Sequence, residues 1–102
     1  MSVVIVCLTA RNMAFDTDSI TVPAAAEVTV QFRNLDDGIS HNLSVYRSPD
    51  RVDTIFRGEP ISGPGIASYT FTAPREPGTY YFQCDMYPDL MYGEFIVEEE
   101  GV

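Results

Sequence analysis

Cys84, Met91 and His41 are the side chains in this sequence best suited to gather around one metal ion. Cys84 and Met91 lie seven positions apart in the stretch Tyr80-Tyr81-Phe82-Gln83-Cys84-Asp85-Met86-Tyr87-Pro88-Asp89-Leu90-Met91-Tyr92-Gly93, and His41 is the only histidine. A thiolate, an imidazole and a thioether are soft or borderline donors, and together they suit copper. One well-known copper geometry places two His and one Cys in a trigonal plane with a weak axial Met. This chain is one imidazole short of that set. Each residue also has an ordinary explanation, since a lone histidine is often solvated or packed and a free cysteine is often a small buried hydrophobe. The cysteine at a strand end, followed by a proline loop and a methionine, favours ligands. Cys7, Met13 and Met86 lack that context and read as a free or buried thiol and as packing residues.

Positioning these donors requires strands. Seven glycines and seven prolines punctuate short alternating segments, the pattern of an all-β sandwich or barrel. The spacing predicts strands at Val3–Ala10, Ser19–Val22, Glu27–Asn34, Asn42–Tyr46, Ser68–Ala73, Gly78–Cys84 and Gly93–Glu98. In the third, Val28, Val30 and Phe32 alternate with Thr29, Gln31 and Arg33, so one face is core and the other wet. With the same period of two, Tyr80, Phe82 and Cys84 share a face, which turns the thiol inward at the rim. His41 falls at the start of a strand after the Asn34–Gly38 turn. The piece from Arg47 to Gly65 reads as a long connection, with a helical turn around Asp53–Phe56.

The totals remove several classes. At 102 residues the chain is expected to be one domain, residues 1–102. Fifteen acids against six bases, all arginine, give a net charge of −9. That charge disfavours nucleic acid and anionic membrane and favours a basic protein partner. No run reaches the roughly 18 apolar residues of a membrane helix. Cys7 and Cys84, 77 positions apart, form neither a CxxC pair nor a zinc ribbon. Ser40, His41 and Asp37 could be drawn as a hydrolase triad, but contiguity in sequence is not triad geometry. An immunoglobulin sandwich would need a second intersheet cysteine and a core tryptophan, and the chain has no tryptophan.

Read along its length, the chain resembles the cupredoxins, the blue-copper family that includes plastocyanin and amicyanin. Thr9–Asp16 and Ile20–Pro23 are similar to the family's first hairpin. Val28–Asn34 followed by Asp37–Asn42 resembles the strand leading into its first histidine ligand. The Cys84 loop is similar to its C-x-x-H-P…M-x-G segment. The resemblance implies an all-β Greek-key sandwich of about seven or eight strands and a non-enzymatic electron carrier holding one copper ion. It also implies His41 bound through Nδ1, Cys84 through its thiolate, and Met91 as the axial thioether. Asn42 would donate its amide to the Cys84 sulfur and pin the neighbouring loop with its side chain, tuning the site from outside. That role makes the Asn42-Leu43-Ser44 sequon a false positive.

The family pattern wants a second histidine three residues after the cysteine, and Tyr87 stands there. Three readings follow. Tyr87 binds as a phenolate; or the site favours Cu(I), served by Cys84, Met91 and His41 with help from Met86; or the domain is copper-silent and serves as a structural or interaction module. On the interaction reading Asp36, Asp37, Asp85 and Asp89 would face a basic redox partner. The remaining expectations are a monomer without membrane insertion, placed in the periplasm or outside the cell after loss of a leader.

Overall fold

The computed structural model describes residues 2–100; Met1, Gly101 and Val102, the ends of the expected domain, lie outside the described residues. Eleven strands and no helix are found in that range: β1 Val3–Arg11, β2 Ala14–Phe15, β3 Ser19–Pro23, β4 Glu27–Asn34, β5 Ser40–His41, β6 Ser44–Tyr46, β7 Thr54–Arg57, β8 Ile61–Ser62, β9 Gly65–Thr72, β10 Gly78–Gln83 and β11 Tyr92–Glu98. One sheet has the order β2-β1-β4-β9, a second β3-β11-β10-β6-β7, and β5 pairs with β8 at the rim. The all-β sandwich read from the alternation is the fold.

The strand β4 shows why the sheets stack. Val28, Val30, Phe32 and Asn34 are buried while Glu27, Gln31 and Arg33 are exposed, so every second side chain enters the interior. Leu8 and Ala10 of β1 and Tyr69 and Phe71 of β9 complete that inner face. Opposite them stand Ile20, Val22, Val45, Tyr80, Phe82, Phe95 and Val97. Rings cross the interface, with Phe71 5.8 Å from Phe95 and Phe15 5.5 Å from Phe82. Burial of such a side chain contributes about 1.5–3 kcal/mol, which makes this double layer the main source of stability.

Two pairings are parallel, β1 with β4 and β3 with β11. The chain therefore leaves the first sheet after β2, crosses to the second at β3, and returns to the first at β4.

Three sequence expectations need correction. The count of seven or eight strands missed β2, β7 and β8, which are two to four residues long and too short to show a period. The helical turn expected around Asp53–Phe56 is instead β7, paired antiparallel with β6 across a bulge at Val45/Tyr46. Phe56 there stacks on Phe71 at 4.8 Å, so tertiary packing overrides the local turn signal. The strand expected at Asn42–Tyr46 is also shorter, beginning at Ser44, because Asn42 and Leu43 lie outside the strands between β5 and β6.

Candidate metal centre

The long strand β4 ends at Asn34, whose fully buried side chain organises the turn that follows. Its Nδ2 donates to the carbonyls of Ile39 and Ile61, and its Oδ1 accepts from the Asp36 amide. Gly63 closes against this turn: its amide donates to Ile39 O, and its carbonyl accepts from the Gly38 amide. A Cβ at Gly63 would collide with the Asp36 carbonyl oxygen. Gly38 carries the turn with a φ of 74°, a conformation glycine adopts without the Cβ penalty. These contacts place His41 on β5, wholly buried.

Asp36 does not face solvent. It is 9% exposed and accepts hydrogen bonds from the amides of Asn12 and Met13 and from His41 Nε2, at 2.6, 2.9 and 2.8 Å. Burial raises its pKa, but the Met13 amide, the His41 ring and the Asn12 amide outweigh it and hold the carboxyl below its usual range. The carboxylate fixes the ring: in neutral His41 the proton sits on Nε2, and Nδ1 is left with a lone pair. That lone pair faces Cys84 Sγ at 3.6 Å.

On the other side, β10 ends at Gln83 and delivers Cys84, fully buried, to the rim. The loop beyond it is closed by backbone bonds. The Cys84 amide donates to Met91 O, the Tyr87 amide to Cys84 O, and the Met91 amide to Tyr87 O. Met91 is 1% exposed and belongs to the same core cluster as Cys84 and Leu43. Tyr87 is half-buried, with its ring edge-on to His41 at 5.3 Å and 73°. Met86 lies outward at 37% exposure.

Asn42 joins the two halves. Its Oδ1 accepts from the Asp85 amide at 2.8 Å. Its Nδ2 donates to Asp85 Oδ2, Ser44 Oγ and Gly58 O. Asp85 also accepts from the hydroxyls of Ser44 and Tyr46 and from Gln83 Nε2. Burial again raises this carboxyl, and the Ser44, Gln83, Tyr46 and Asn42 donors together lower it further than burial lifts it.

Asp36 and Asp85 are thus spent on internal hydrogen bonds. Of the four acids expected to meet a partner, Asp37 and Asp89 alone are exposed, so the sequence reading of the other two is corrected. The signal available for Asp36 was its place five residues before the histidine, which without a loop geometry does not point inward. Ser40 likewise sits at hydrogen-bond distance from Ser62, its Oγ 3.2 Å from the Ser62 Oγ, and His41 pairs with Asp36 rather than Asp37, which dissolves the triad. Cys7 is an exposed free thiol on β1, and Cys84 is also free.

No group of three His, Cys, Asp or Glu side chains that could hold a metal exists among the described residues. A metal would therefore draw on the thioether or the phenol beside His41 and Cys84. The spacing of the first two donors fits. Bonds of about 2.0–2.1 Å from a ring nitrogen and about 2.3 Å from a thiolate are typical of a first-row ion. Tyr69 offers no rival phenolate. Burial, with the Cys84 and Glu59 charges, pushes its phenol up to about 12, and it donates to Glu59 O.

Two stacked sheets with a buried thiol, imidazole and thioether residue at one rim define a cupredoxin-like protein. A family model described as a cupredoxin-like domain matches residues 2–97, and the chain belongs to that family. No curated protein sequence matches significantly. Among solved structures it is similar to auracyanin A, a "blue" copper protein of the green thermophilic photosynthetic bacterium Chloroflexus aurantiacus. That match has a TM-score of 0.84 at 23% identity, covering 95% of this chain and 100% of the other. Auracyanin of Roseiflexus castenholzii gives 0.78 at 25%, covering 96% and 98%. Amicyanin of Paracoccus versutus gives 0.63 at 27%, covering 91% and 80%.

Proposed function

We propose that this chain is a single copper-binding domain of the electron-transfer type, with an altered ligand set. His41 Nδ1, Cys84 Sγ and Met91 would hold one copper ion, and Tyr87 stands where the second imidazole of the family pattern would be. The bound ion would supply one-electron chemistry. The chain's own contribution is to fix the ring tautomer through Asp36, keep water from the thiol, and hold both halves together through Asn42. The observation that carries this reading is the 3.6 Å approach of an Nδ1 lone pair to a buried thiol. Rigid donors of this kind reduce reorganisation when an ion binds or changes charge. The reading extends to a monomer meeting a basic redox partner in the periplasm or outside the cell. The net charge of −9 supports that partner chemistry.

The test is addition of Cu(II) and of Cu(I) to the purified chain. An intense visible thiolate-to-copper band, absent in Cys84→Ala, supports the reading; a colourless protein free of both ions by elemental analysis sinks it.

A second reading has its own observation. The Tyr87 ring already packs edge-on against His41, as a side chain filling the site would. On that reading the domain is copper-silent, a structural or interaction module, and copper leaves its melting temperature unchanged.

A further inference from the structure

Two internal acids bracket the proposed site. Asp36 lies behind the His41 ring, and Asp85 follows Cys84 directly. Asp36 is met by two amides and a ring N–H. Asp85 is met by two hydroxyls and two side-chain amides, and the exposed Arg57 guanidinium stands 3.8 Å from its Oδ2. Carboxyls surrounded in this way by donors are held as anions. Their side chains are 9% and 24% exposed, so salt screens them less than the surface acids.

We propose that Asp36 and Asp85 are fixed negative charges that bias the His41–Cys84 site toward Cu(II) over Cu(I). The inference rests on the copper reading above and specifies which ion that site prefers. A negative charge attracts a doubly charged ion twice as strongly as a singly charged one, so each carboxylate favours the oxidised form. The soft donors Cys84 and Met91 pull toward Cu(I), and the two acids oppose them. Asp36 acts across a single imidazole ring, where one charge in a partly dry site changes the ratio about tenfold. Asp85, on the residue bonded to Cys84, acts in the same direction but more weakly, because the Arg57 guanidinium offsets part of its charge. Both are positioning residues, since each acts through a neighbour.

Competition titrations with Cu(I) and Cu(II) chelators on the wild type, Asp36→Asn, Asp85→Asn and Asp37→Asn test this. The ratio of Cu(II) to Cu(I) affinity is expected to fall about tenfold in Asp36→Asn and by a smaller factor, above about twofold, in Asp85→Asn. The tenfold change corresponds to a one-electron potential about 59 mV higher. It stays within about twofold in Asp37→Asn, whose carboxylate is exposed. Asp85→Glu, which keeps the charge, restores most of the ratio; a purely structural role would lower both affinities together and leave the ratio alone. Should neither variant fold, the wild type decides. Its potential stays nearly constant between low and high salt if buried charges set it. A salt shift as large as the tenfold change would assign the bias to the surface and overturn the inference. A wild type that takes up neither ion defeats the copper reading, and the inference with it. One that binds both, with a ratio indifferent to the two variants, defeats the charge assignment alone.

Discussion

The two halves of the rim are built by different means. The His41 half is held chiefly by side chains: Asn34 and Asp36, with backbone bonds from Gly63, close the turn from β4 to β5, and its buried side-chain polar atoms all have partners among the described residues. The Cys84 half is held by backbone bonds across a short loop, with Met86, Asp89 and Leu90 exposed. The first is a rigid acceptor with one defined lone pair. The second can change its side chains at Met86 to Leu90 without rebuilding the closure. A substitution at position 87 is therefore cheap for the fold, while one at position 36 or 63 is not. Sequence drift in the proposed ligand set is most easily accommodated on the Cys84 side, where Tyr87 stands.

The largest effect is expected from cutting the Asn42 side chain, which ties the Asp85 backbone and carboxylate to Ser44 and Gly58. Asn42→Ala leaves the Asp85 amide without its acceptor and removes a donor from Gly58 O and from the Asp85 carboxylate. Unpaired groups in so buried a place cost about 1–3 kcal/mol each, and a total loss of about 2–4 kcal/mol is expected by denaturant titration. A loss below about 1 kcal/mol would mean the halves hold independently.

The next largest effect is expected from Tyr87→His. The position lies in the loop, outside the strands, so stability changes little. The introduced imidazole completes the trigonal donor set with His41, Cys84 and axial Met91. Copper affinity rises at least about tenfold, the scale on which even outer partners of a ligand act, and the Cu(II) form becomes blue or green. A folded variant with neither gain would show that the Cys84 loop is not a copper loop.

Acid separates the halves from the rest of the molecule more gently. Asp36 and Asp85 both titrate below their unfolded range. Their contribution is therefore fully present above the unfolded carboxylate pKa of about 4 and is lost as pH falls through the folded values. The metal-free chain should hold constant stability from neutral pH to about pH 5 and lose it below about pH 4. Asp85→Asn flattens that decline; an unchanged acid limb would remove Asp85 from the account.

Much of this was legible in the sequence because the period of two is strong in β4, β9 and β10. The inward face carrying Tyr80, Phe82 and Cys84 follows from it directly. The seven-residue return from Cys84 to Met91 was legible as a loop for the same reason. What escaped were β2, β7 and β8, too short for a period, and the inward turn of Asp36. That turn depends on Asn34, Gly63 and the amides of Asn12 and Met13, which come from three separate segments. No local pattern encodes a contact of that kind. Burial of an acid this close to a histidine is visible only once the loops are placed.

The smallest expected effect lies within the Cys84 loop itself. Met86 and Met91 are five residues apart in one loop and chemically identical, so either thioether could serve a soft ion. The loop closure distinguishes them. Met91 is drawn in by paired backbone bonds to Cys84 and Tyr87 and is 1% exposed, while Met86 is 37% exposed. Met86→Leu removes a surface thioether of nearly the same volume, and such changes fall within about 0.5 kcal/mol. Copper affinity for either ion should then move by no more than about twofold. Met91→Leu is the matched control: it conserves buried volume, costs less than about 1.5 kcal/mol in stability, and should lower Cu(I) affinity more than Met86→Leu does. Paired chelator titrations compare the two directly. If Met86→Leu had the larger effect, the loop would have to turn Met86 inward when the ion binds, and the closure that holds Met91 would be the wrong basis for choosing the thioether.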